Sequence, residues 1–342
     1  MNAPNLSAWD VDPSAFPRAG RMAAKARFAV AYAILAPSSH NTQPWKFIVS
    51  DDEILLCADR SRSLPVIDPY DRELVISCGA ALFNLRVALA HFALAVEITL
   101  LPNATDPDVL ARIAFAPATA PSPDLAPLFG AIAHRRTNRM AFAAETPPPD
   151  LIERLRAAAI AEGVDARVVA APAERARIAE LIADADRRQF ADPHFRRELA
   201  SWIHPSRRDD GMPAFSQGMQ PLVDAATPIA AMVIRTFDVG HGVAASHGEL
   251  ARGSPLLAVL ATTTDNQEAW LATGQALQRL LLVATAAGYG ASYLNQPIEV
   301  PELRDRLARD LATARHPQLV LRIGRGPGIP PSPRRPLADV CA

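Results

Sequence analysis

The sequence predicts an α+β fold made of two related copies in one chain, and two observations carry that expectation. Apolar runs of helical length alternate with short strand-like runs from Arg21 onward. In addition, Ser77-Cys78-Gly79-Ala80-Ala81-Leu82-Phe83-Asn84-Leu85 lines up with Ala272-Thr273-Gly274-Gln275-Ala276-Leu277-Gln278-Arg279-Leu280, so that Gly, Ala, Leu and Leu recur in register. Each segment lies in a long apolar helix that precedes a short strand, Val96–Leu101 in the first case and Ala291–Leu294 in the second. A weaker echo relates Phe28–Ala36 to Leu151–Ala159. Alanine-rich helices also resemble one another by chance, so a match of this length alone leaves both explanations open.

Residues 1–19 are Pro-rich and aperiodic, an arm that either wraps the fold or stays mobile. Arg21–Leu35 reads as a helix, with Met22, Ala26, Ala29, Val30 and Ala33 at helical spacing. A polar loop, residues 36–45, separates it from two strand candidates, Lys46–Val49 and Glu53–Cys57. The loop Asp59–Asp71 carries the turn signals Leu64-Pro65 and Asp68-Pro69-Tyr70-Asp71. A long apolar helix, Glu73–Phe92, and the strands Val96–Leu101 and Val109–Phe115 complete a first unit over residues 20–116. The Pro-rich stretch inside 117–130 reads as a linker, and residues 131–342 form a second unit with a helix opening near Pro149-Asp150.

Composition excludes several function classes. The chain has 342 residues, 49% of them hydrophobic, enough for a sizeable core. Its net charge of -1 and pI of about 6.7 give no global field for nucleic acid or a membrane surface. Three cysteines, Cys57, Cys78 and Cys341, show neither metal-ligand spacing nor a disulfide framework. The first 30 residues contain no signal-type apolar core and no apolar run of 18 residues follows, so the expectation is a cytoplasmic protein without a membrane segment.

The loop Ala36-Pro37-Ser38-Ser39-His40-Asn41-Thr42-Gln43-Pro44-Trp45 carries the most specific signal. It is pinned between two apolar elements, and loops held in that way carry function. The run resembles the A-P-S-S-x-N-x-Q-P-W segment with which flavoproteins of the nitroreductase family contact FMN from the neighbouring subunit of their dimer. The resemblance places Pro37, Ser38, Ser39, Asn41 and Gln43 on cofactor-contacting positions. His134-Arg135-Arg136-Thr137-Asn138-Arg139 resembles the R-x-S-x-[KR] element that grips the FMN phosphate and ribityl chain, which implies contacts from Arg135, Thr137 and Arg139. Guanidinium forks suit phosphate oxygens, bonding them in pairs. Gly288–Gln296 is similar to the strand and turn that run along the flavin ring, with Asn295-Gln296 where the family often has Glu-Gly. Pro331–Leu337 resembles a basic tail closing over the phosphate and adds Arg334 and Arg335.

Phe195–Ile203 reads as a short amphipathic helix, and His204–Gln220 lacks any periodicity. The Acg-like branch of the family is similar over roughly Arg21–Val340 and carries a comparable insertion that covers the flavin. That resemblance implies a nitroreductase-like fold whose two degenerate copies form an internal pseudo-dimer, with a lid insertion around 195–245 from which Met212, Phe215 and Met219 contact the ring. It further implies an FMN-binding, NAD(P)H-dependent oxidoreductase that acts on a small-molecule nitro compound, quinone or similar acceptor by a ping-pong hydride mechanism. The alternative is an FMN-storage protein with a closed lid. The internal pairing implies a monomer, and the chemistry sits on the flavin with no metal involved. Gly324-Arg325-Gly326-Pro327-Gly328 reads as a turn, because Pro327 forbids the helix that a dinucleotide-binding glycine loop needs. His241 and His247 have no Glu or Cys at ligand spacing, and Ser38 lacks the G-x-S-x-G setting of a hydrolase nucleophile.

Overall fold

Helix α2, Arg72–His91, is buried on nearly every side, which a helix apolar all round requires. In this computed structural model, which describes residues 6–117, 124–203, 208–212 and 227–342, it crosses helix α9, Gln267–Ala286, at the centre of the fold. Among the described residues α2 is the one helix long and apolar enough to cross a membrane, which corrects the expectation of no such run; 83% of its most apolar window is buried in the fold. The crossing is close because both helices carry a glycine there. A Cβ on Gly79 would stand 2.4 Å from the Leu271 carbonyl oxygen, and one on Gly274 would stand 2.0 Å from that of Ile76. The aligned glycines of the sequence repeat are therefore the point of contact. Buried polar groups beside them pair with one another: Gln278 Nε2 donates to Asn84 Oδ1 at 2.6 Å, and Asn84 Nδ2 donates to the Tyr32 carbonyl at 3.1 Å.

Two antiparallel four-stranded sheets flank this helix pair. The first joins β1 (Trp45–Val49), β2 (Glu53–Ala58), β3 (Val96–Leu100) and β4 (Val109–Phe115) in the order β1-β2-β4-β3. The second joins β5 (Asp165–Val169), β6 (Leu256–Thr262), β7 (Gly290–Tyr293) and β8 (His316–Gly324) in the order β5-β6-β8-β7. Helix α1, Met22–Ala33, packs on α2, and α4, Pro149–Ile160, packs on α9. The short α3, Phe129–Ile132, touches both central helices. Leu125 and Phe129 are buried in the first core, so the chain from residue 124 onward is packed and not a spacer; residues 118–123 of the expected linker lie outside the described set. The expected helix boundaries at α1 and α2 hold to within two residues.

Between β5 and β6 run α5 (Pro172–Ala191), α6 (Pro193–Trp202), α7 (Thr227–Thr236) and α8 (Gly240–Gly253), and between β7 and β8 run α10 (Gln296–Glu299) and α11 (Pro301–Asp310). After β8 the chain turns at Gly324, where a Cβ would stand 2.7 Å from Phe142, and carries no helix until α12, Leu337–Val340. It then reaches the first sheet: Val49 N–H donates to the Ala342 carbonyl at 3.0 Å, and Ala342 N–H to the Phe47 carbonyl at 2.8 Å. The N-terminal arm wraps the fold. Trp9 is buried, and its Nε1 donates to the Ser332 carbonyl at 2.8 Å.

Candidate functional site

The loop between α1 and β1 is backbone-strained. His40, Asn41 and Gln43 all have left-handed φ, at 50°, 55° and 51°, a region costly for residues with a Cβ. Neighbouring bonds impose the conformation: Asn41 N–H donates to the Ser38 carbonyl at 3.0 Å, and Gln43 N–H to Ser38 Oγ at 2.9 Å. The loop's Pro37, Ser38, Ser39, His40 and Asn41 line a cavity of about 610 Å³, within the range of small-molecule sites.

The basic segment 135–139 faces them because it extends the edge of the second sheet. Thr137 pairs with Ala291 of β7 as a parallel bridge, and Asn138 N–H donates to the Ala291 carbonyl at 2.9 Å. Arg135, Thr137, Arg139, Asn295, Gln296, Met212 and Arg334 all line the same cavity. The fold thus brings together residues far apart in sequence that the resemblance had singled out.

Electrostatics divide the cavity. Arg135, Arg322 and Arg334 are buried, and among the described residues none has a carboxylate within 4.0 Å. Their Nε atoms, and one terminal nitrogen of Arg322, have no hydrogen-bond partner among the described residues. Arg334 does donate to Asn41 Oδ1 at 2.9 Å, and Arg135 to the Leu35 carbonyl at 3.2 Å. Burial lowers the proton affinity of Arg135, Arg139 and Arg334, and burial with neighbouring Arg139 pushes Arg322 down to about 10. A guanidinium keeps its proton at neutral pH even so, and three such charges without counter-charge make a strongly anion-attracting wall. Beside them, burial and Arg139 push His40 down to about 4, so it is neutral near pH 7. Burial pushes the Tyr293 hydroxyl up to about 12 and leaves it with no partner on the cavity wall.

Two expected contacts do not reach the cavity. Gln43, turned inward by its left-handed backbone, is fully buried; its Nε2 donates to the Asp209 carbonyl at 2.8 Å, and its Oε1 accepts from Arg335 N–H at 2.8 Å. Arg335 donates to the carbonyls of Gln43 and Asp339, each at 3.0 Å, and lies 3.5 Å from Asp59. Both residues tie loop, tail and the 208–212 segment together. Met212 is buried on the cavity wall, while Phe215 and Met219 lie outside the described residues.

Sequence reasoning missed several lining groups. Glu73 caps the apolar α2 from within: it accepts from Ser39 Oγ, lies 3.2 Å from Arg72, and stands 3.4 Å from Asn295 Nδ2. A charged pair opening an otherwise apolar helix is the signal that could have found it. Arg322 sits inside the strand His316–Gly324, where charge is unexpected; it donates to the carbonyls of Asn138 and Met140, each at 2.9 Å. His247 has no partner near it in sequence, yet Asp186 of α5 stands at 3.0 Å.

Comparison with known proteins identifies the family. The family model described as Nitroreductase family matches residues 132–325, more than half of the chain. The provisionally named NAD(P)H nitroreductase Rv3131 of Mycobacterium tuberculosis is 34% identical over 321 residues, covering 92% of this chain and 90% of that protein. The provisionally named NAD(P)H nitroreductase acg of the same organism is 32% identical over 322 residues, 91% of this chain and 93% of its own length. The solved structure of the FMN-dependent nitroreductase NfnB from Mycobacterium smegmatis in complex with NADPH superposes with a TM-score of 0.40 at 20% identity, over 61% of this chain and 94% of that one. With a family model spanning its second half and relatives matching nearly end to end, the chain belongs to the nitroreductase family.

Proposed function

We propose that the protein is an FMN-dependent NAD(P)H oxidoreductase whose single site is shared between two degenerate copies of one unit. The observation that carries this reading is the set of buried arginines without carboxylates, Arg135, Arg322 and Arg334, with unpartnered N–H groups on the wall of one cavity. Such a wall is costly until an anion arrives, and a phosphate monoester fits the cost. The other donors suit a planar polar ligand: the neutral His40 and the Tyr293 hydroxyl.

Arg135, Arg139 and Arg334 would hold the FMN phosphate, with Thr137 beside them. FMN, when bound, supplies two-electron chemistry between a nicotinamide and a nitro compound, quinone or similar acceptor. The chain's own contribution is orientation. Asn295 Oδ1 accepts from Val320 N–H at 2.9 Å, so its amide is preset before any ligand enters, and Glu73 fixes Ser39 on the opposite wall. The buried side chains of Trp9 and Met212 add apolar surface to the wall.

The pseudo-dimer reading is supported by the shared strand order of the two sheets and by the paired glycines at the helix crossing. The 36–45 loop occurs only in the first unit and the 135–139 element only in the second, so one FMN per chain is expected and a monomer suffices. A cytoplasmic location accords with this chemistry. The test is the visible spectrum of the purified protein, then anaerobic addition of NADH or NADPH. Bound flavin at one equivalent that bleaches supports the proposal; two tightly bound equivalents reject the degenerate pair.

One observation favours the storage reading. Residues 208–212 are latched to the first unit: Asn41 Nδ2 donates to the Gly211 carbonyl at 3.0 Å, Gly211 N–H donates to the Asn41 carbonyl at 3.3 Å, and Arg62 pairs with Asp210. Flavin that is present but unbleached by either nicotinamide selects storage.

A further inference from the structure

Away from the arginines, α5, α8 and the head of α10 bring a second set of polar groups to the cavity wall. Asp186 of α5 holds Oδ2 at 3.0 Å and Oδ1 at 3.2 Å from Nδ1 of His247 on α8. Gln296 Nε2 lies 2.9 Å from the same nitrogen and its buried Oε1 has no partner among the described residues, so the amide turned end for end places a third acceptor at Nδ1. With both carboxylate oxygens at Nδ1, the hydrogen is assigned there, donated to Asp186, and Nε2 becomes the nitrogen that can exchange a proton. No described residue partners Nε2, and the ring lines the cavity with its side chain 34% exposed, whereas Asp186 is buried. Glu299 lines the same chamber and accepts from Gln189 Nε2 at 2.5 Å. Burial, with Glu73 and Asp186 nearby, keeps its carboxyl well above the usual carboxylate range, so it stays a neutral O–H donor. The remaining walls are apolar, including Phe190, Phe195, Ile234 and Val243.

We propose that His247, oriented by Asp186, donates a proton to a neutral aromatic electron acceptor seated in this chamber. The inference rests on the flavoprotein reading above and assigns the acceptor end of that site. The carboxyl groups of Asp186 and Glu73 disfavour an anionic ligand here, while the Glu299 carboxyl and His247 Nε2 are the groups that can offer a hydrogen to a nitro or quinone oxygen. For a quinone the balance is simple. A bound flavin, once reduced, would supply one hydride equivalent with its two electrons, leaving the quinone a monoanion. The proton on His247 Nε2 then completes the hydroquinone, and solvent reprotonates the imidazole. Asp186 is a positioning residue in this scheme. The groups facing His247 are Asp186 from α5, Gln296 and Glu299 from α10, and, farther off, Glu73 from α2.

The obvious alternative is that the pair only staples α5 to α8. His247→Asn separates the two, because its side-chain amide still donates to Asp186 while Nε2 is lost. The FMN-loaded protein is reduced with one equivalent of dithionite under anaerobic conditions and mixed with menadione from about pH 5 to pH 9. The expected result is reoxidation slowed about 100-fold or more in the variant. The wild-type slowing as pH rises should also be flattened. A second readout needs no turnover: in oxidised protein labelled with ¹⁵N-histidine, menadione should shift the His247 Nε2 resonance. Reoxidation rates and pH profiles equal in the two proteins, with an unmoved resonance, overturn the proposal. Dithionite makes this test independent of nicotinamide, so absence of bleaching by NADH or NADPH counts against the functional reading alone.

Discussion

The two units share a plan and differ in their connections. In the first unit, residues 50–52 turn β1 into β2; in the second, residues 170–255 separate β5 from β6 and, among the described residues, hold four helices. Conversely, residues 34–44 join α1 to β1 and form the strained site loop, whereas residues 161–164 join α4 to β5 directly. The shared part, sheets and central helices, carries stability. The unshared connections add the 36–45 loop and the helices α5 to α8 to a cavity that the shared elements also line, through Glu73, Tyr293 and Arg322.

The largest effect should come from the shared part. Gly274→Val places a side chain against the Ile76 carbonyl at the helix crossing, and overpacking of this kind costs at least the ~1–3 kcal/mol usual for a filled core. Gly130→Ala, with nothing within 4 Å of the added carbon, is the control and should leave the denaturant midpoint unchanged or slightly raised. Equal losses in the two variants would mean that the crossing is no tighter than the surface.

Next in size is the anion wall. Arg135→Ala with Arg139→Ala should weaken FMN about 100-fold or more, because charge-assisted contacts to phosphate are lost. Riboflavin, lacking the phosphate, should lose far less by equilibrium dialysis. Similar losses for both would move these arginines off the phosphate.

A smaller effect is expected at the latch. Asp210→Ala removes the partner of Arg62 in the 208–212 segment. If closure limits access, the competent fraction and the rate of anaerobic FMN reduction by NADH or NADPH rise a few-fold. An unchanged rate with FMN still bound removes access as the control.

The smallest effect is at Asp265, just before α9. Burial alone would raise its carboxyl, but hydrogen bonds from Arg304, Trp270 and Gln318 with the Arg304 charge hold it well below the usual range. A depressed carboxylate contributes stability above its unfolded value and loses it as pH falls. Asp265→Asn should therefore lower the thermal midpoint modestly at pH 7, with the deficit shrinking below about pH 4. A pH-independent deficit would make its role one of packing.

How much of this was legible in the sequence follows from how locally each feature is encoded. The 36–45 loop stood out because a polar run between apolar elements is visible within ten residues, and α2 and α9 because their apolarity is continuous. The strand β6 was not seen: every residue in it is buried, so no alternation marks it. Asp186 and His247 meet only through the packing of α5 on α8, which no spacing in the chain announces. Gln43 and Arg335 were misplaced for a different reason. A matched motif names residues but not the direction of their side chains, and the left-handed backbone at Gln43 turns it into the protein.

The arm that wraps the fold has an optical consequence. Trp9 lines the cavity beneath two guanidiniums, with Arg136 4.1 Å and Arg334 4.7 Å from its ring centroid. A flavin absorbs where an indole emits, so the molecule carries a gauge of its own occupancy at the anion end. Its emission should fall as the cavity fills and recover when the ligand is dialysed away, and a Trp9→Phe variant should lose most of that response while keeping the signals of Trp45, Trp202 and Trp270.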